Sequence, residues 1–344
     1  MNARTVINNR LNHIGTDITP YTAEFEPKLY KRICEYYNDE NWEQKKLRSF
    51  TCSYLYVNTH LLRPDEALYS RDAYGAVWCM DKKPWHLAKP PLDLPSLQGY
   101  NFPKAEVFLK PLLESKEEAI RKYNEDTEHY RIINMSSGIF EHSWRLRGFE
   151  NTLADMVTDE DYYKEVIKRI TDIYLSLINA CEDVPADAYY FGDDWGDQRG
   201  LIFGPERWRK FIKPCQAKIY KAAHMQGKKI IQHCCGSIVD IYDDLIEIGM
   251  DCHESVQPEA RGMSPDIIKE KWGGRLSLWG CLGSQQLLNS GTAEEIRNEI
   301  FRLHNLFKDS GGFVLAPAKP LVDEMDIKRA VALVEAFSEL GNCN

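Results

Sequence analysis

The stretch KKIIQHCCGSIVDIYDDLIEIGMDCHESV (228–256) decides the fold. After a Gly-Lys-Lys turn come a short apolar run, Lys229 to Gln232, a helical pattern from Ser237 to Ile248, and a second strand pattern from Asp251 to Val256. A short apolar run that ends in polar or glycine residues and leads into a helix-period segment is how a βα unit reads. The alternation continues on both sides. Further strand patterns fall at Arg131 to Met135, Ala188 to Phe191, Arg275 to Trp279 and Gly312 to Leu315; helical ones run Leu153 to Ala180, Pro205 to Met225, Thr292 to Lys308 and Asp323 to Leu340. Two helix starts are chemically marked: Gly204-Pro205-Glu206 puts proline where a first turn tolerates it, and Thr292 to Glu295 is a capping box. Upstream, Ile18 to Phe25 and Ser49 to Val57 bring the strand count to eight, and a closed (β/α)8 TIM barrel is the economical fold. Residues 1–344 are expected to form one domain, irregular and elaborated over 1–130 and built of regular βα units over 131–344. The proline-rich segment 81–103 is neither regular helix nor central strand, and reads as an excursion over the surface.

Composition bounds the partners. The chain has 344 residues, is 43% hydrophobic and carries a formal net charge of −9 without any basic block, so it lacks the electrostatic footprint of a nucleic-acid binder. A small molecule is the expected substrate. The ten cysteines have no small-scaffold spacing and the start MNARTVINNR has no apolar signal region, which points to a reducing cytoplasm with most cysteines as small buried hydrophobes. No run approaches the roughly 20 apolar residues that span a bilayer.

Chemistry concentrates where strands end. His233 and Cys235 lie two residues apart at a strand terminus; successive side chains of an extended backbone alternate faces, so these two converge while Cys234 points away. Imidazole plus thiolate suits a soft divalent metal, with zinc the natural choice, and a catalytic zinc takes three protein ligands and an open position. Cys281, Gln257 and Glu259 each follow a strand and are candidates for the third. After the strand at 188–191 comes Gly192-Asp193-Asp194-Trp195-Gly196, where two acids beside an indole suit substrate orientation or proton handling; only one of Asp193 and Asp194 can face inward. Glu141, Arg145 and Arg147 cluster near a helix start and suit an anionic or aromatic substrate. Lys319 places a cation on the same rim, and Tyr74 and Trp78 line it at most, core packing being their default. His253 and Glu254 lie inside a strand, so at most one faces the interior, and His253 reads as a structurally satisfied histidine.

These motifs carry a resemblance. From about Ile14 to the C-terminus the chain resembles the uroporphyrinogen decarboxylase superfamily, and within it the methyltransferase-like branch, through GDDWGDQRGLIFGPERWRKFIKP (192–214), HCCGSI (233–238), the Val-Gln-Pro run at 256–258, the Asp72 to Trp78 motif and FEHSWRLRGFEN (140–151). The resemblance implies a TIM barrel. It also implies a zinc-dependent enzyme moving a methyl group between a small methylated or methoxylated substrate, or a thiol, and a corrinoid carried by a partner protein, with Asp193, Asp194 and Trp195 in catalytic roles. In that branch a His-x-Cys pair and a later cysteine hold zinc; His233 and Cys235 match the pair, whereas Pro317-Ala318-Lys319 stands where the later cysteine falls. The decarboxylase members use an arginine-rich N-terminal motif, and GTDITPYTAEFEPKLY (15–30) contains no arginine. Metal-independent decarboxylation of a porphyrin-like carboxylate is the alternative reaction. A binding protein that has lost its ligand set is the alternative from another class.

Overall fold

The structure is a computed structural model and describes residues 1–64 and 68–341. Its centre is a parallel sheet of seven strands, β1 (Thr51–Tyr56), β6 (Tyr130–Asn134), β7 (Ala188–Gly192), β8 (Lys229–His233), β9 (Cys252–Val256), β10 (Ser277–Leu282) and β11 (Phe313–Pro317), neighbouring one another in that order. Four short antiparallel strands, β2 (Arg63–Pro64), β3 (Tyr69–Arg71), β4 (Val77–Cys79) and β5 (His86–Lys89), form a separate sheet. Every residue of β10 and β11 is buried. Such continuous apolar runs are what a parallel sheet needs when helices cover it.

The sheet curls. A cavity of about 580 Å³ is lined at once by Thr51 to Ser53 of β1, by Tyr21 to Glu24 beside β11, and by Asn134, Tyr190, Glu254 and Trp279 between them. The expected strand Ile18 to Phe25 does not form. Its segment touches β11 and the residues after it only through isolated bridges, Tyr21 with Leu315 and Phe25 with Leu321, and no ladder joins it to β1. Pro20 has no N–H to give a ladder, and the N–H of Arg48, just ahead of β1, donates to the Tyr21 hydroxyl at 2.9 Å instead of to a backbone carbonyl. Among the described residues the parallel sheet therefore has seven strands where eight were expected.

The helices follow the expected order with local breaks. Leu153 to Ala180 is two helices, Phe149–Thr158 and Glu160–Ala180, separated at Asp159. Pro205 to Met225 is Gly204–Arg207 and Lys213–Met225 joined by a π-helical turn, Trp208–Ile212, next to Pro214, whose ring would clash with a regular i−4 carbonyl. Ser237 to Ile248 shortens to a 3₁₀ turn, Val239–Ile241, and Tyr242–Glu247, and the last helix runs Ile327–Gly341. The Thr292 capping box is present: Glu295 N donates to Thr292 Oγ1 at 3.1 Å and Thr292 N to Glu295 Oε2 at 2.7 Å. The excursion over 81–103 carries β5 and is tied down by Arg147, whose Nη1 donates to Leu92 O while its Nε pairs with buried Asp155 at 2.9 Å. No helix is long and apolar enough to cross a membrane among the described residues. Nine cysteines are free thiols, and Cys343 lies outside the described residues.

Candidate metal centre at the strand ends

The parallel register of β7, β8 and β9 assembles the site. Gly192 pairs with His233, and His233 pairs with Glu254, so the loop after β7, the end of β8 and the middle of β9 lie side by side. Asp194, two residues past β7, comes alongside Cys235, two residues past His233. Asp194, His233 and Cys235 bring their ligand atoms within 4.8 Å of one another. His233 Nε2 is 3.5 Å from Cys235 Sγ and 3.6 Å from Asp194 Oδ1. Ligands of one tetrahedral ion, at metal distances near 2.0–2.3 Å, sit about 3.3–3.7 Å apart, so these spacings fit a shared ion with little movement.

The surroundings hold the three donors in place. His233 Nδ1 lies 2.5 Å from Glu254 Oε2, and that same oxygen accepts the Tyr190 hydroxyl at 2.6 Å. A carboxylate on Nδ1 fixes the ring and turns Nε2 toward the other two donors, the arrangement found behind metal-ligating histidines. Burial disfavours charge on His233, but Glu254 and Cys235 outweigh it and hold the imidazole well above its ordinary range. Asp194 Oδ1 accepts the Cys235 N–H at 2.7 Å, and the Gln257 side chain accepts the Gly236 N–H at 3.0 Å. Gly236 has φ +76°, and a Cβ there would stand 2.6 Å from Asp197 O, so only glycine turns the chain at this point.

Cys234 points away, as strand alternation requires: its buried sulfur accepts the Trp195 N–H at 3.2 Å. Asp193 and Trp195 also turn into the wall. Asp193 accepts from Phe140 N at 3.0 Å, Glu141 N at 2.9 Å and Trp195 Nε1 at 2.7 Å, so it caps the helix Ile139–Arg147 and anchors the indole. Burial, then the neighbouring Glu141 carboxylate, pushes Asp193 up to about 8 against those three donors. Glu141 is raised too, first by burial and then by Asp194, with Arg145 pulling it back. Asp194 is thus the member of the pair that faces His233 and Cys235.

The other expected ligands are elsewhere. Cys281 is fully buried and its charged neighbours are Glu299, Arg302 and Asp266 on covering helices; burial pushes its thiol far up. It lies behind the sheet because β10 turns its side chain outward. Glu259 Oε1 accepts Gln285 N at 2.9 Å and so braces the turn after β10. Gln257 is buried and occupied with Gly236 and Gln198. Lys319 is exposed and lines a separate cavity of about 180 Å³ with Leu288, Leu321 and Met325.

A second group stands on the same rim. Arg145 is 2% exposed, donates to His60 Nδ1 at 2.9 Å and Ser137 Oγ at 3.1 Å, and lies 5.3 Å from the Trp78 ring centroid. Trp78 Nε1 donates to buried Asp72 at 3.0 Å. Burial, then Arg145, pushes His60 down to about 3, so the ring is neutral. Tyr74 packs on His142 at 5.0 Å between ring centroids and is core. His253 is buried and structurally satisfied, as expected, bonded to Tyr242 and to Cys234 O.

Sequence reasoning missed Glu254, Tyr190 and His60. The signal for Glu254 was its parity opposite to His253 in one strand, but which of the two faces inward depends on the register between strands. Asp194 was assigned to substrate handling; its place beside Cys235 follows from the β7–β8 register.

Residues 75–340 match the family model described as uroporphyrinogen decarboxylase (URO-D). A search of curated proteins returned no match. Among solved structures, a methyltransferase from Methanosarcina mazei superimposes with TM-score 0.71 at 19% identity, covering 98% of this chain and 99% of that one. A B12-independent methionine synthase from Shewanella sp. W3-18-1, in complex with selenomethionine, gives TM-score 0.39 at 11% identity over 65% of each chain.

Proposed function

From the premise that the chain belongs to the uroporphyrinogen decarboxylase family, we propose that it is a zinc-dependent methyltransferase whose metal is held by Asp194, His233 and Cys235. One observation carries the reading: a carboxylate, an imidazole and a thiol from two neighbouring strand ends share one small volume, with Glu254 behind the imidazole. Three protein donors with a remaining open position are the catalytic rather than the structural zinc pattern. The chemistry a bound zinc ion supplies is Lewis acidity, lowering the pKa of a thiol or polarising a methoxy oxygen.

The chain's own residues do the rest. Glu254 and Tyr190 keep His233 Nε2 aimed at the shared volume. Asp194 fixes the backbone of Cys235 while presenting its carboxylate to the same point. Asp193 and Trp195 position that loop from behind, and Arg145 with Trp78 forms an aromatic and cationic wall for a small methylated or methoxylated substrate. A corrinoid carried by a partner protein is the proposed methyl acceptor or donor. In this reading the segment 18–25 closes the curled sheet as an eighth stave, and residues 1–344 form one (β/α)8 domain of the cytoplasm.

The test uses full-length protein purified without a histidine tag. Zinc at one ion per site and loss of methyl transfer in Cys235→Ala are the expected results; metal-free protein with full activity contradicts the proposal. The family model favours a second reading, metal-independent decarboxylation of a carboxylated substrate. Anaerobic turnover of uroporphyrinogen that survives Cys235→Ala would establish it.

A further inference from the structure

We propose that the small antiparallel sheet carries a second, structural zinc site formed by Cys79, Asp81 and His86. Cys79 in β4 pairs directly with His86 in β5, which puts their side chains on one face of the sheet, and Asp81 follows two residues after Cys79. Their ligand atoms all lie within 4.8 Å of one another. Directly opposed strand residues have Cβ atoms about 4.5–5.5 Å apart, so rotamer changes alone bring sulfur and imidazole to the spacing that one ion requires. A thiolate, an imidazole and a carboxylate are a zinc set; magnesium and calcium would ask for oxygens.

The sheet needs such a clip. Its strands are two to four residues long, and Cys79 alone among their residues is buried. The apolar pair Trp78–Leu87 lies on the other face of the sheet, so the Cys79–His86 face has little apolar packing of its own, and small units of this kind are commonly held by a metal or a disulfide. Coordination replaces the Cys79 S–H bond with a sulfur–metal bond and releases one proton to the buffer. Because strand neighbours alternate faces, Trp78 points away from the clip, toward Arg145 and Trp144, with ring centroids 5.8 Å apart in the indole pair. The metal thereby fixes the position of the aromatic wall over the rim.

The site is separate from the Asp194–His233–Cys235 group, and one experiment distinguishes them. Full-length wild type, Cys79→Ser, His86→Ala and Cys235→Ser are loaded with zinc, gel-filtered and assayed for metal per chain, with hydrogen exchange of residues 69–89 followed alongside. Two ions in wild type are expected, falling to one in each variant, with exchange of 69–89 accelerated in Cys79→Ser and His86→Ala and unchanged in Cys235→Ser. His86 is exposed, so its loss cannot be ascribed to misfolding. If Cys79→Ser and His86→Ala bind as much zinc as wild type, the hairpin site is refuted even where Cys235→Ser loses an ion. Zinc that leaves the hairpin on gel filtration is an adventitious ion only and also overturns it. A single ion lost in Cys79→Ser but retained in Cys235→Ser supports the hairpin site and contradicts the catalytic one.

Discussion

Replacing Glu254 by glutamine isolates the contribution of the carboxylate behind His233. One oxygen, Glu254 Oε2, serves both His233 Nδ1 at 2.5 Å and the Tyr190 hydroxyl at 2.6 Å. The amide oxygen of glutamine can take the same place, so size and hydrogen-bond count are conserved and only the charge goes. A hydrogen bond to a charged group contributes about 1.5–3 kcal/mol and a neutral one about 0.5–1.5 kcal/mol, a difference of about 1–2 kcal/mol. Zinc binding at His233 should weaken by about 5- to 30-fold, the lower part of the range for lost partners of metal-bound histidines. Chelator competition on Glu254→Gln in a Cys79→Ser background measures it, with Tyr190→Phe expected to lose less. Affinity equal to the parent would refute the idea that Glu254 orients the ring. Loss beyond about a thousandfold would refute it from the other side, since Glu254 would then be a ligand itself.

Other predictions follow from the walls of the site. Asp193→Ala strands two helix N–H groups and the Trp195 indole N–H; at about 1–3 kcal/mol for each unsatisfied buried donor, urea denaturation should show a loss of at least about 3 kcal/mol, and zinc stoichiometry should stay as in wild type. Asp155→Ala leaves buried Arg147 uncompensated and should cost about 3–5 kcal/mol, whereas Arg147→Met with Asp155→Leu should recover most of it in the same assay. His60, held down to about 3, stays neutral in the folded protein while the unfolded chain takes up a proton below about 6.5, so its stability contribution is present at neutral pH and lost as pH falls. Between pH 7 and pH 5 this amounts to about 1–2 kcal/mol, and His60→Gln should flatten that part of the stability–pH curve without abolishing it, since buried His253 is also depressed, to about 4, by burial.

What the sequence makes legible here is periodicity. Alternation along a strand was enough to pair His233 with Cys235 and to send Cys234 away, and apolar runs followed by helical patterns placed six of the seven parallel strands near their observed positions, with Ser49 to Val57 containing the seventh. Relations between strands were not legible. Whether Asp193 or Asp194 faces inward, and whether His253 or Glu254 does, depends on how β7, β8 and β9 align, and no local pattern encodes that. Cys281 looked like a ligand because it ends a strand, yet its side chain faces the helices outside. Ile18 to Phe25 has strand composition, but Pro20 and the Tyr21 hydroxyl replace ladder bonds there. The resemblance to one family supplied the broader chemistry; the proposal of Asp194 as the third donor rests on its position beside Cys235.

The central claim is that one sulfur, one imidazole and one carboxylate hold zinc at the strand ends. X-ray absorption at the zinc edge of zinc-loaded Cys79→Ser protein tests it most directly. A single sulfur at about 2.3 Å with the remaining scatterers nitrogen or oxygen at about 2.0–2.2 Å is expected, and no sulfur after Cys235→Ser is added. Two or more sulfurs, or an unchanged spectrum in the double variant, would contradict it.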